Sequence, residues 1–129
     1  MLVGDIMRGD VKKADAGDTF ADVAKVMRTN GISSVVVLDK EGSLAGILTE
    51  RDVLRAVAAG VQDETVVSDH MTRDPETMGP DDTTQHAAVL MIHGGFRHMP
   101  LVEGDEVVGM LSIRDLMRVV LDNAAPRGV

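Results

Sequence analysis

The stretch Gly46-Ile-Leu-Thr-Glu-Arg-Asp52 returns as Gly109-Met-Leu-Ser-Ile-Arg-Asp115, 63 positions later. Arg55 returns as Arg118 at the same offset. Further upstream, Val3-Gly-Asp-Ile-Met7 returns as Val67-Ser-Asp-His-Met71, Asp18-Thr19 as Asp82-Thr83, Met27 as Met91 and Gly31 as Gly95, all 64 apart. One residue is therefore lost in the turn between Asp39 and Gly46. Repetition at a fixed period decides the architecture before any single motif does. The 129 residues are two copies of a unit of about 60 residues, a length that buries little core alone, so the copies are expected to pack on each other. The expected division is repeat 1 over 1–60, a linker over 61–65, repeat 2 over 66–122 and a flexible C-terminal tail over 123–129.

Each copy follows one order. A short helical turn (Gly4–Met7; Ser68–Met71) leads into an extended stretch and then an amphipathic helix. In the first helix Phe20, Val23, Ala24, Val26 and Met27 follow i, i+3, i+4 spacing behind Asp18 or Thr19 as N-cap. In the second, Ala87, Ala88, Leu90 and Met91 do so behind Asp81-Asp82. Asn30-Gly31 and Gly94-Gly95 supply the left-handed C-cap. A strand follows (Ser34–Leu38; His98–Val102), then a turn, a second strand (Leu44–Thr49; Val107–Ser112) and a last helix (Glu50–Ala59; Ile113–Asp122). The expected class is α/β (α+β), with sheets of continuous apolar strands covered by helices.

Composition excludes several functions. Cysteine is absent, which removes disulfides, zinc thiolates and thiol nucleophiles. The 13 Lys and Arg stand against 21 Asp and Glu, a net charge of −8, and the aromatics are two Phe. Polymeric nucleic acid needs clustered cations or stacking platforms, so it is not an expected partner. No apolar run reaches the roughly 18–20 residues of a membrane span, and no signal peptide is visible, so a cytoplasmic protein is expected. No P-loop, nucleophile elbow or paired His-Glu motif occurs, and the protein is not expected to be an enzyme. His86 and His93 are seven apart on one helix, about 10.5 Å by rise, too far to share an ion, and no metal is expected. Met27, Met91 and Met117 are read as core filler.

Thr49-Glu-Arg-Asp52 and Ser112-Ile-Arg-Asp115 stand where a strand hands over to a helix. The plainer explanation is a cap: the hydroxyl at the N-cap and the Asp three on, accepting from backbone N–H groups. The functional explanation is a ligand: a carboxylate accepts from a ribose diol, and a hydroxyl with free N–H groups at a helix N-terminus suits a phosphate. Arg97-His98 precedes Met99-Pro-Leu-Val102, and the guanidinium fork of Arg97 suits an anion. The first copy has Ser33-Ser34 there, which brings no charge. Arg51 and Arg114, each first of an i, i+4 arginine pair with Arg55 and Arg118, could draw anions toward these turns or form a solvated or dimer-contacting face.

Two such units, each closing on Gly-hydrophobic-hydrophobic-Thr/Ser-x-x-Asp, resemble a pair of CBS domains, a Bateman module, over roughly Val3 to Val120, and Arg97-His-Met-Pro100 is close to the family's wording. The resemblance implies two β-α-β-β-α repeats around a pseudo-twofold axis, two clefts that hold adenosine nucleotides, and disc-like homodimers. In similar proteins the Asp holds ribose and the Thr or Ser contacts ribose or phosphate. One expected site joins Ser112, Asp115, Arg97 and His98 with Val11, Ile32, Ser33 and Ser34. The other joins Thr49, Asp52, Ser33 and Ser34 with Pro75, Phe96 and Arg97. The first is expected to bind nucleotide better. The expected function is regulatory sensing of AMP, ADP or ATP, with no required cofactor. No effector domain is expected, so output is expected to pass through a dimer change or an effector protein. The alternatives are a ligand-free dimerisation module, or a cleft for S-adenosylmethionine, NAD or a cyclic dinucleotide.

Overall fold

The β-branched run Val35-Val-Val37 is apolar toward both faces of a strand, so it belongs inside a sheet covered on both sides. In the computed structural model, which describes residues 1–124, all three valines are buried. The elements are β1 (Lys13–Asp15), α1 (Phe20–Asn30), β2 (Ser34–Leu38), β3 (Leu44–Thr49), α2 (Glu50–Ala58), β4 (Thr72–Arg73), α3 (Thr84–Gly94), β5 (His98–Glu103), β6 (Glu106–Ser112) and α4 (Ile113–Ala124). Two 3-10 turns, Val3–Asp5 and Val67–Asp69, precede β1 and β4. One sheet has the order β1-β2-β3-β4, with β1 and β2 parallel and the other pairs antiparallel. β5 and β6 form the second sheet, and single bridges extend it in the same order: Met78 lies parallel to Leu101 and Arg8 antiparallel to Met110. Met78 and Arg8 are the repeat counterparts of Ala14 in β1 and Thr72 in β4.

The chain forms two compact units. One holds Asp10–Pro75 with Gly104–Val107; the other holds Met1–Gly9, Glu76–Glu103 and the chain from Val108. Each unit thus takes its 3-10 turn from the opposite copy of the repeat. Val67 is fully buried with Phe20, Val23, Met27 and Leu48, and Val3 with Ala87, Met91, Leu101 and Leu111. Burial of each valine contributes about 1.5–3 kcal/mol relative to exposure. The backbone bonds that seat the two turns also match. The Val67 N–H donates to the Asp18 carbonyl at 2.7 Å, as the Val3 N–H does to Asp82 at 2.8 Å. The Phe20 N–H donates to Thr65 at 2.6 Å, as the Thr84 N–H does to Met1 at 2.9 Å.

The same seating explains why two distant motifs recur together. Met71 lies over Gly46 in β3, where an added Cβ would meet its Sδ at 2.8 Å and the Thr72 carbonyl oxygen at 2.5 Å. Met7 lies over Gly109 in β6, where a Cβ would meet its Sδ at 2.5 Å and the Arg8 carbonyl oxygen at 3.0 Å. The glycine of each Thr/Ser-x-x-Asp stretch is therefore there to admit the methionine of the other.

Local signals place the helices as expected, with some adjustments. Thr19, not Asp18, caps α1 by accepting from the Asp22 N–H. Asp18 closes the preceding turn instead, accepting from the Asp15 N–H at 2.9 Å. Thr83 caps α3, and Gly31 and Gly95 end α1 and α3 with φ of 61° and 71°. Val26 and Met117, read as core-facing, are 39% and 49% exposed, because α1 buries Phe20, Val23 and Met27 and α4 buries Asp115 and Leu116. A helix turns its next residue about 100° away from such a stripe. Of the expected tail, Asn123 and Ala124 continue α4, and the remainder lies outside the described residues. No helix among the described residues is long and apolar enough to cross a membrane.

Gly46→Ala and Gly109→Ala should each destabilise the protein by about 1–3 kcal/mol through overpacking. Gly17→Ala, where nothing lies within 4 Å, should stay within about 0.5 kcal/mol of wild type. Denaturant unfolding measures all three. Losses at Gly46 and Gly109 no larger than at Gly17 would contradict the methionine seating.

Candidate functional site

β3 ends and α2 begins at Thr49, whose extended backbone (φ −111°, ψ 168°) makes it the N-cap. The Thr49 Oγ1 accepts from the Asp52 N–H at 3.2 Å, and Asp52 Oδ2 accepts from the Thr49 N–H at 2.9 Å and its hydroxyl at 3.0 Å. β6 hands over to α4 in the same way. Ser112 Oγ accepts from the Asp115 N–H at 3.2 Å, and Asp115 Oδ2 accepts from the Ser112 N–H at 3.0 Å and its hydroxyl at 2.9 Å. Both aspartates are 6% exposed. A carboxylate out of water is costly unless hydrogen-bonded, and these two are held by the reciprocal box and by the positive end of a helix dipole.

The other carboxylate oxygen differs between the copies. Asp52 Oδ1 accepts from the Thr72 hydroxyl at 2.9 Å, which also lies 3.1 Å from Oδ2. Asp115 Oδ1 faces two cations, Arg8 Nε at 3.6 Å and Arg118 Nη1 at 3.7 Å. Both arginines are more than half exposed, so these ion pairs are weak. Sequence reasoning missed Arg8 and Thr72. The signal was present, since they occupy one register, 64 apart, directly after the repeated methionines.

Backbone bonds bring several predicted residues to the two turns. The Ser33 carbonyl accepts from the Glu50 N–H at 3.0 Å and the Arg97 carbonyl from the Ile113 N–H at 2.8 Å, tying the chain before β2 and before β5 to each helix start. Ser34 pairs in register with Thr49. Ser33, Ser34, Thr49 and Asp52 therefore cluster in one unit. In the other, Arg97 joins the Ser112–Asp115 turn through its backbone, with His98 next to it at the start of β5. The Arg97 side chain is exposed and His98 half-buried.

Ile32 lines an open cavity of about 370 Å³ with Met27, Arg28, Glu50 and Val53. Phe96 holds the same position in the second copy, packed on that core and against Gly94, where a Cβ would collide with its ring. Val11 and Pro75 are half-buried, before β1 and after β4, and Asp74 ahead of Pro75 has φ 47°. Arg51 and Arg114 are exposed and make no ion pair among the described residues, whereas Arg118 one turn on from Arg114 does. No group of three or more His, Asp or Glu that could hold a metal occurs among the described residues.

Comparison with known proteins gives consistent results. The CBS domain family model matches residues 3–59 and 67–122. The chain is 36% identical over 105 residues to an uncharacterised 17.7 kDa protein of Acidianus ambivalens, covering 81% of this chain and 63% of that protein's length. Among solved structures it is similar to the CBS-domain containing protein ATU1752 from Agrobacterium tumefaciens, with TM-score 0.85, 30% identity and 92% of each chain covered. It is also similar to the CBS domain pair of protein MJ0100 in complex with 5-methylthioadenosine and S-adenosyl-L-methionine, with TM-score 0.87, 27% identity and coverage of 95% and 98%. Two matched repeats, a twice-repeated helix-strand-strand-helix order and a duplicated Thr/Ser-x-x-Asp cap place this chain in the CBS-domain family, as a tandem CBS pair.

Proposed function

We propose that the chain is a regulatory module that binds adenosine nucleotides at the Thr49–Asp52 and Ser112–Asp115 turns and passes occupancy on through a homodimer or an effector protein, in a cytoplasmic setting. The observation that carries this reading is the duplicated buried aspartate. In each copy Oδ2 is committed to the cap, while Oδ1 meets only a side-chain hydroxyl or exposed arginines, groups that a ribose diol can displace. Ser33 and Ser34 at one turn and Arg97 and His98 at the other supply further contacts. The CBS pair of MJ0100 is a complex with two adenosyl compounds, which supports the adenosyl class. With two Phe and no Trp or Tyr, the base is held by aliphatic side chains and backbone. The role is binding, not catalysis.

Exposed apolar side chains support the homodimer. Leu54 and Val57 of α2 are 69% and 60% exposed, and their repeat counterparts Met117 and Val120 of α4 are 49% and 57% exposed. Each unit leaves a pair of large apolar side chains in water on its last helix, and a second copy of the chain carries the same helix faces with which to cover them.

In a thermal-shift assay, AMP at 100 times its dissociation constant adds about 2.7 kcal/mol, a rise on the order of 10 °C for a chain of this length. Asp115→Ala should remove most of that AMP-dependent rise and Asp52→Ala less. No rise with any adenosine ligand, or the reverse order of the two variants, would contradict the proposal. Separately, light scattering should find wild type dimeric and the Leu54→Glu/Met117→Glu variant monomeric. A monomeric wild type, or a variant that still dimerises, would contradict the association surface.

A further inference from the structure

Resting on that reading, we infer that the two turns select ligands of different charge. The Ser112–Asp115 turn favours the more anionic adenosyl ligand, the Thr49–Asp52 turn favours the less anionic or uncharged one, and residues 8 and 72 decide the difference.

Both residues are fixed by strand pairing. Arg8 exchanges two backbone hydrogen bonds with Met110, its N–H to the Met110 carbonyl at 3.0 Å and its carbonyl from the Met110 N–H at 2.9 Å. Met110 is two residues before Ser112. Thr72 is paired with Ile47, two residues before Thr49. Each side chain is thus delivered to the aspartate of its own turn by equivalent backbone, and what differs is the chemistry delivered.

At Asp115 the delivered group is a guanidinium, and Arg118 adds a second. Two cations against one carboxylate leave an excess positive charge, and the N-terminus of α4 adds to it. The contacts of 3.6 and 3.7 Å are longer than hydrogen bonds, so the guanidinium donors are available to an incoming phosphate. Arg97 adds charge in the same copy, where the first copy has Ser33.

At Asp52 the delivered group is a neutral hydroxyl. Among the described residues no cation lies within ion-pair distance of Asp52. Arg55, the counterpart of Arg118, does not reach it, and Arg73 beside Thr72 donates to the Ser68 carbonyl at 2.9 Å. The carboxylate of Asp52 is thus left without an ion-pair partner, and it repels an anion, tolerates a neutral nucleoside and attracts a cation. Arg51 and Arg114 occupy equivalent positions next to the two turns and do not distinguish them.

The test is calorimetric titration of the full chain with AMP and with adenosine, which differ only in the phosphate. Arg8→Thr, which installs the residue of the other copy, should weaken AMP by about tenfold while adenosine stays within about twofold. Arg8→Lys should retain most of the AMP affinity, and Thr72→Arg should strengthen AMP binding at the Thr49–Asp52 turn. An AMP affinity unchanged by Arg8→Thr, or adenosine weakened by the same factor as AMP, overturns the inference while leaving adenosyl binding intact. A wild-type chain that binds neither compound overturns the underlying reading and this inference with it.

Discussion

A carboxylate with only 6% of its side chain exposed stays in place only if the protein supplies the hydrogen bonds that water would have given. At Asp52 and Asp115 those bonds come from the residue that ends the preceding strand, through both its N–H and its hydroxyl. Much depends on this arrangement. It starts α2 and α4 at a fixed residue and locks each helix to β3 or β6. Through the Ser33 and Arg97 carbonyls it also anchors the chain entering β2 and β5. The second oxygen of each carboxylate is left to side chains from the segment that follows the repeated methionine, so the cap is also the point where the exchanged segments meet the helix start.

The repeat made most of the fold legible. Strands at Ser34–Leu38 and Leu44–Thr49, the glycine caps of α1 and α3 and the two capping boxes follow from local chemistry that needs no partner. The exchange of the 3-10 turns was not legible, because Val3 and Val67 carry the same signal whichever copy they bury against. Met117 misled for a related reason. Helical spacing gives the apolar residues of α4 but not which of them meet the core, and the box at Asp115 rotates Leu116 inward and Met117 outward. At the site, Asp52 and Asp115 were found through their motif, while Arg8 and Thr72 were hidden because each stands far along the chain from the aspartate it meets, 107 residues before Asp115 and 20 after Asp52; only the repeat register relates them.

The acidic balance of the chain and its few aromatics first served to exclude polymeric nucleic acid. In the folded chain the same features have a local meaning. A net charge of −8 leaves few places where positive charge outnumbers negative, and the Ser112–Asp115 turn, with Arg8 and Arg118, is one of them. Among the apolar side chains left outside the two cores, Leu54 and Val57 of α2 match Met117 and Val120 of α4, while Val26 of α1 and Val89 and Ile92 of α3 also stand exposed. A duplicated fold has in this way acquired two turns alike in backbone and unlike in charge.

The most direct measurement is a crystal structure of the chain grown with AMP. Ribose oxygens within about 2.5–3.0 Å of Asp115 Oδ1, with Oδ2 still accepting from the Ser112 N–H, are what a carboxylate serving as both cap and ligand contact requires. Adenine density away from both turns, or both turns unchanged in the presence of bound AMP, would show that the aspartates are caps and nothing more.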